Sequence, residues 1–231
     1  MNNKNKIVVI SPHRDDAVIS IGSFIYDNFG VVTIINIFTR SIGTILDVPD
    51  NEVTRIRKSE DDFISRNYSL RFISLGLPDT SLRGVGWDDY NAKIDMTLLV
   101  KISSQIYNII INEQPNNVFI PAAYGLHPDH YLSLLAFSHK PLFNLISKIN
   151  FGIYCDQQYY YEGNAYHKGH DFLDRYGKLH SYKFNPDWKK KIVSVYKSQL
   201  SKERIKLLTQ TITKEYFWTV PPGFFIESLS R

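Results

Sequence analysis

Lys6-Ile7-Val8-Val9-Ile10-Ser11-Pro12-His13-Arg14-Asp15-Asp16 runs from an uninterrupted apolar segment straight into a turn of charged and metal-competent side chains. Ile7 to Ile10 is β-branched throughout, the composition of a strand covered on both faces, as strands of parallel sheets are. A parallel sheet needs helical crossovers, and Asp15 to Phe29 supplies the first. There Ala17, Val18, Ile19, Ile21, Ile25 and Tyr26 recur at helical spacing, Asp15 and Asp16 suit the N-terminal turn, and Gly30 suits the C-cap. The polar cluster therefore falls where a strand meets the next helix, the edge at which open α/β sheets carry their chemistry.

The alternation continues along the chain. Val31 to Phe38 reads as a second buried strand, residues 40–50 as a loop, and 51–67 as an amphipathic helix with Val53, Ile56, Phe63 and Ile64 on one side. Arg71 to Gly76 is a third strand, 84–89 a loop, 91–113 a long helix, and Val118 to Pro121 a fourth strand that leads into Ala122 to His130. Helices over 129–136 and 141–149 and a strand over 150–154 follow, then an unassigned Tyr-, Gly- and His-rich stretch, 155–182, either a lid or irregular packing. Helices over 186–200 and 202–209 precede an aromatic, Pro-containing end. Parallel strands joined by right-handed crossovers make this an α/β chain, and its 231 residues show no composition break that would divide it, so one domain over 1–231 is expected.

Hydrophobic content of 43% with 22% charged residues is ordinary for a globular protein. The net charge of +4 is spread among both signs, and its densest basic stretch, Trp188-Lys189-Lys190-Lys191, reads as the exposed first turn of a helix rather than a nucleic-acid patch. A single cysteine, Cys155, excludes an internal disulfide and a cysteine-rich metal site. Met1 to Lys6 enters the first strand without a signal-type apolar segment, and no apolar run reaches the ~18 residues of a membrane span, so a cytoplasmic location is expected. Dinucleotide-binding, P-loop and nucleophile-elbow motifs are all absent, which removes nucleic-acid, nucleotide and serine-hydrolase readings.

The second chemical cluster, His127-Pro128-Asp129-His130, follows the fourth strand. His13 and Asp16 from one turn and His130 from the other supply the three protein ligands that a catalytic zinc takes while keeping a position for water. Asp15, beside a ligand, is placed to accept a proton from that water, and His127 to donate one or to hold a developing oxyanion.

Pro-His-x-Asp-Asp after the first strand, combined with His-Pro-Asp-His after a later one, resembles the zinc-dependent de-N-acetylases of the LmbE/PIG-L family. Asp15 to Gly22, Arg57-Lys58-Ser59-Glu60, Leu75-Gly76-Leu77-Pro78-Asp79 and Tyr196-Lys197-Ser198-Gln199 extend the resemblance over most of the chain. It implies a Rossmann-like three-layer sandwich with a mostly parallel central sheet. It also implies His13, Asp16 and His130 as zinc ligands, Asp15 as general base, and His127 as general acid or oxyanion stabiliser. Arg57 and Asp79 match positions that contact substrate in sugar-acting members. Arg14 stands where the family usually has Pro, so its charge faces either substrate or solvent. Tyr124 lies three residues before His127, where some members place a Tyr two before, and Tyr196 replaces a common His.

The function implied is zinc-dependent removal of an acetyl group from an N-acetylated amino sugar, a small-molecule partner, with other divalent metals admissible in the same donor set. Two alternatives stay open: a de-N-acylase of a different glycoside in secondary metabolism, and a non-catalytic sugar-binding module on the same fold. A homo-oligomer is compatible with the sequence, which does not determine the assembly state.

Overall fold

A computed structural model of the chain describes residues 5–89, 92–123, 127–146, 148–157, 173–211 and 214–221. Strand β1 (Ile7–Ser11) leads into helix α1 (Asp16–Asp27), β2 (Val32–Arg40), α2 (Asp50–Tyr68), β3 (Arg71–Pro78), the single-turn α3 (Thr80–Arg83) and α4 (Met96–Glu113). The chain continues through β4 (Asn117–Pro121), α5 (Pro128–Leu135), a 3-10 turn, α6 (Lys140–Ile146) and β5 (Asn150–Tyr154). Its last described elements are β6 (Lys178–Lys183), α7 (Pro186–Val193), α8 (Lys202–Lys206), a π-helical turn over Leu207–Thr211 and β7 (Lys214–Val220).

One seven-stranded sheet has the order β3-β2-β1-β4-β5-β7-β6. The first five strands of that order pair in parallel, and β7 joins β5 and β6 antiparallel at the far edge. The chain steps outward from β1 through β2 to β3, then returns to add β4 on the opposite side of β1. That reversal opens a crevice at the carboxyl ends of β1 and β4. Alternation within β1 sorts the two cores: Val8 and Ile10 pack with Ile102, Ile106, Leu132 and Phe137 on one face. Ile7 and Val9 pack with Val18, Ile25, Ile64 and Ile192 on the other. The sheet is thus the central layer of a Rossmann-like sandwich with helices on both sides. Where β4 and β5 run side by side, Gly152 lies opposite Phe119, and a Cβ there would meet the ring at 2.5 Å.

Several elements differ from the sequence expectation for identifiable reasons. Helix α4 starts at Met96 because the Asp95 carboxylate caps it, accepting from the Leu98 amide at 2.9 Å. Helix α7 stops at Val193 rather than near residue 200, because Glu60 accepts from both the amide (2.9 Å) and the hydroxyl (2.7 Å) of Ser198 and holds that segment in turns. On α2, Phe63 is 45% exposed while Arg57, Glu60 and Asp61 are buried beside Val53 and Ile64, since this helix faces a polar site. Strands β6 and β7 go beyond the sequence expectation: Tyr216 to Val220 has the aromatic and β-branched composition of a strand, but its pairing partners lie far along the chain.

Lys189, expected on an exposed turn, is fully buried and forms an ion pair with Glu215 at 2.6 Å. The pair splints a break in α1, where Ile21 leaves helical geometry (φ −131°, ψ 32°). Glu215 accepts from the amides of Ser23 (2.9 Å) and Phe24 (3.1 Å), and the Lys189 ammonium donates to the Ile19 carbonyl. Backbone groups released by the break are therefore satisfied by side chains, as buried polar groups must be.

Candidate metal centre

The turn after β1 and the start of α5 meet in the crevice. His13 Nδ1 and His130 Nε2 each lie 3.1 Å from the same Asp16 oxygen, Oδ2, and the three ligand atoms are all within 4.8 Å of one another. Zinc bonds of about 2.0–2.1 Å at tetrahedral angles separate donors by roughly 3.3 Å, so this triad fits a zinc-sized ion through two imidazole nitrogens and one carboxylate oxygen. Local geometry pre-forms the turn: the His13 amide donates to Asp16 Oδ2 at 2.7 Å, and Ser11 Oγ bridges the His13 carbonyl and the Ala17 amide.

Each histidine is oriented by a second carboxylate. His13 Nε2–H donates to Asp129 Oδ2 at 2.8 Å, and His130 Nδ1–H donates to Asp156 Oδ1 at 2.9 Å, which turns the opposite ring nitrogen of each toward Asp16. Asp129 and Asp156 were not singled out in the sequence. Asp129 was visible within the second cluster, but its distance from His13 in the chain hid the pairing. Asp129 also accepts from the Thr80 amide at 3.0 Å and from the Arg83 guanidinium, whose carbon sits 5.4 Å above the Phe38 ring. The short helix α3 is thereby fastened to the carboxylate that orients His13.

The electrostatics follow from burial and charge. Burial pulls the His13 pKa down, but the Asp16 charge and the bonds to Asp129 and Asp16 outweigh it and raise it to about 9. His130 is likewise raised, against its burial, by Asp16 and Asp156. Burial would raise Asp16, yet the His130 and His13 charges hold it well below the usual carboxylate range, so it carries the negative charge that a metal ligand needs. Asp15 moves the other way: burial and the Asp16 charge raise its carboxyl, and Arg57 opposes them. His127 is pushed down to about 2 by burial and by the positive charges of His13 and His130. Its Nδ1 accepts from the Asp129 amide at 3.2 Å, so the neutral ring carries its proton on Nε2.

A cavity of about 330 Å³ opens over this cluster, lined by His13, Asp15, Asp16, Arg57, Asp79 and His127, with Gly43, Thr80, Ser81, Val85, Gly86, Trp87 and Gln199 around them. Of the residues singled out in the sequence, the structure brings six of these together. Arg57 Nη2 lies 3.2 Å from Asp15 Oδ1 and Nη1 lies 3.8 Å from Asp79 Oδ2, so the guanidinium bridges the two carboxylates. Asp79 also caps α3. Arg14 is not brought in: it is 5% exposed, pairs with Asp61 at 2.6 Å and does not line the cavity. Tyr124 lies outside the described residues, as do His167, His170 and most of 155–182. Tyr196 is buried with its hydroxyl directed at Asp61, at 3.4 Å, whereas Gln199 of the same motif reaches the cavity.

The profile of one family, PIG-L (GlcNAc-PI de-N-acetylase), matches residues 8–137, which include both clusters. The chain belongs to the PIG-L family. No curated protein matches it. Among solved structures, the deacetylase of the teicoplanin biosynthesis pathway, in complex with teicoplanin, is 19% identical over 94% of this chain and 98% of that one, with a TM-score of 0.72. N,N'-diacetylchitobiose deacetylase from Pyrococcus horikoshii is 21% identical over 96% and 85%, with a TM-score of 0.61. The 4-carboxy-2-hydroxymuconate hydratase from Pseudomonas putida is 12% identical over 94% and 97%, with a TM-score of 0.58. At these identities the likeness is one of fold, and a hydratase among the neighbours shows that the fold alone does not choose the reaction.

Proposed function

We propose that this PIG-L family chain is a zinc-dependent hydrolase that removes the acetyl group from the amine of an N-acetylated amino sugar. The observation that carries the reading is the convergence of His13, Asp16 and His130 on one point, with Asp15 in the same turn and the His127 ring beside them on the cavity wall. Zinc held by those three residues would supply a Lewis acid for the amide carbonyl and lower the pKa of water toward neutrality.

The chain's own residues do the rest. Asp15 takes the proton of the attacking water; the Arg57 bridge keeps its carboxylate at the cavity wall, while burial keeps it basic enough to accept. His127, neutral and protonated on Nε2, donates a hydrogen bond to the oxyanion of the tetrahedral intermediate, the second of the two roles that the sequence left open. Asp15 then returns its proton to the departing nitrogen, so that acetate and a free amine are released. The neighbours acting on teicoplanin and chitobiose support a glycoside substrate.

The test is release of acetate and primary amine by the zinc-loaded protein from a panel of N-acetylated glycosides. Release from at least one member is expected; a fully inert panel with zinc bound would reject the deacetylase reading.

A further inference from the structure

We propose that Trp87 is the platform for a second ring of the substrate, the group joined to the N-acylated amino sugar, so that the site selects N-acyl glycosides of at least two rings. This rests on the deacetylase reading and defines the part of the ligand that the metal cluster leaves open.

Depth within the cavity is the first argument. His13, Asp15, Asp16 and His127 are each no more than 8% exposed, and the acetamido group must react among them. Trp87 lines the same cavity but is 60% exposed, which puts its indole at the mouth. A volume of about 330 Å³ is small for a ligand cleft, where roughly 300–1,000 Å³ is usual, so a ligand of two rings extends out to that mouth. What sets Trp87 apart from other exposed apolar residues is its place on the cavity wall, where an indole offers an apolar face with one wet edge to a bound ring.

Anchoring is the second argument. Gly84 adopts φ +67°, letting the chain reverse after α3, and the Val85 amide donates back to the Thr80 carbonyl at 3.2 Å. The Asp89 amide closes a further turn on Gly86 at 3.2 Å. Because α3 is fastened to Asp129, which orients His13, the turn that carries Trp87 is tied to the proposed metal ligands.

The polarity of the walls is the third. Gln199 donates through Nε2 to the Gly43 carbonyl (3.0 Å) and the Ser198 carbonyl (2.8 Å), which leaves its amide oxygen as the acceptor for a ligand hydroxyl. An indole and an amide group lining the same cavity match a ring with a C–H face and hydroxyls at its edge.

The test compares N-acetylglucosamine, N,N'-diacetylchitobiose and p-nitrophenyl N-acetyl-β-glucosaminide on zinc-loaded wild type, Trp87→Ala and Trp87→Phe. Acetate release is followed together with tryptophan fluorescence during binding. The alanine variant should lose about ten-fold in kcat/KM on a two-ring compound, through KM, with less than two-fold change on the monosaccharide, and phenylalanine should restore most of it. A loss confined to the p-nitrophenyl compound makes the second ring an aryl group, and one on chitobiose makes it a sugar. Equal effects on all three compounds, or none, overturn the proposal while leaving deacetylation standing. If nothing is hydrolysed but a two-ring compound shifts the wild-type fluorescence and not that of Trp87→Phe, the subsite stands and the deacetylase reading falls. If no compound is hydrolysed and none binds in a Trp87-dependent way, the subsite is rejected as well.

Discussion

Asp129→Asn isolates the support behind His13, one of the three proposed metal ligands. In the wild type, one carboxylate serves three donors: His13 Nε2–H and the Thr80 amide converge on Oδ2, and the Arg83 guanidinium takes Oδ1. Asparagine offers a single oxygen. If that oxygen occupies the Oδ2 position, its NH2 group faces the Arg83 guanidinium, donor against donor; the bond to His13 also loses its charge assistance, which roughly halves its strength. Loss of such an orienting carboxylate typically costs 10–100-fold in metal affinity, equivalent to about 1.4–2.8 kcal/mol. The zinc dissociation constant, measured by competition with a chromophoric chelator, should rise by that factor. Urea unfolding of the metal-free protein should show a loss of roughly 1–3 kcal/mol, from the unsatisfied buried partner. Arg83→Met removes only the outer partner and should weaken zinc binding less than Asp129→Asn does. A zinc affinity within two-fold of wild type in a folded Asp129→Asn protein would refute the reasoning that Asp129 sets the tautomer and orientation of His13.

Three further outcomes are expected. Asp15→Asn should keep zinc bound at wild-type stoichiometry while lowering kcat by about 10²–10⁴-fold, as loss of a general base does; a rate near wild type would remove Asp15 from that role. Lys189→Met leaves Glu215 buried with its charge uncompensated and the Ile19 carbonyl without its donor, so urea unfolding should show a loss of about 3–5 kcal/mol, part of it recovered in Lys189→Met/Glu215→Gln. A loss below about 1 kcal/mol would contradict the splint. Asp61 gives a pH signature, because burial raises its carboxyl from 3.8 to about 7 against the pull of Arg14. Between those values the native chain holds a proton that the unfolded chain has released, so this stability is present at low pH and is lost as pH rises toward 7. The unfolding free energy of wild type relative to Asp61→Asn should therefore fall across that window; a constant difference would show that Asp61 does not titrate there.

The strand-helix alternation of the first two-thirds was legible because the inner parallel strands are largely apolar on both faces and the crossover helices carry their own periodicity, as Ile7 to Ile10 and Leu98 to Ile110 show. Boundaries failed where side chains from elsewhere intervene. Glu60 arrests α7 by binding Ser198, and Lys189 reads as a surface residue until Glu215 arrives from β7.

For the site, the sequence by itself determined the chemical inventory: two histidine-aspartate turns, each placed after a strand, in an order that marks the family. Residue type and local spacing suffice for that, because strand-to-turn geometry is set by neighbours in the chain. Only the tertiary structure decided which carboxylate serves which histidine. Asp129 and Asp156 orient the rings, Arg57 bridges Asp15 and Asp79, and Arg14 turns inward to Asp61. Those pairings join residues on different strands and helices. They are fixed by the order in which the sheet is assembled, and the physical reason is that buried charges must find partners wherever the fold brings them within reach.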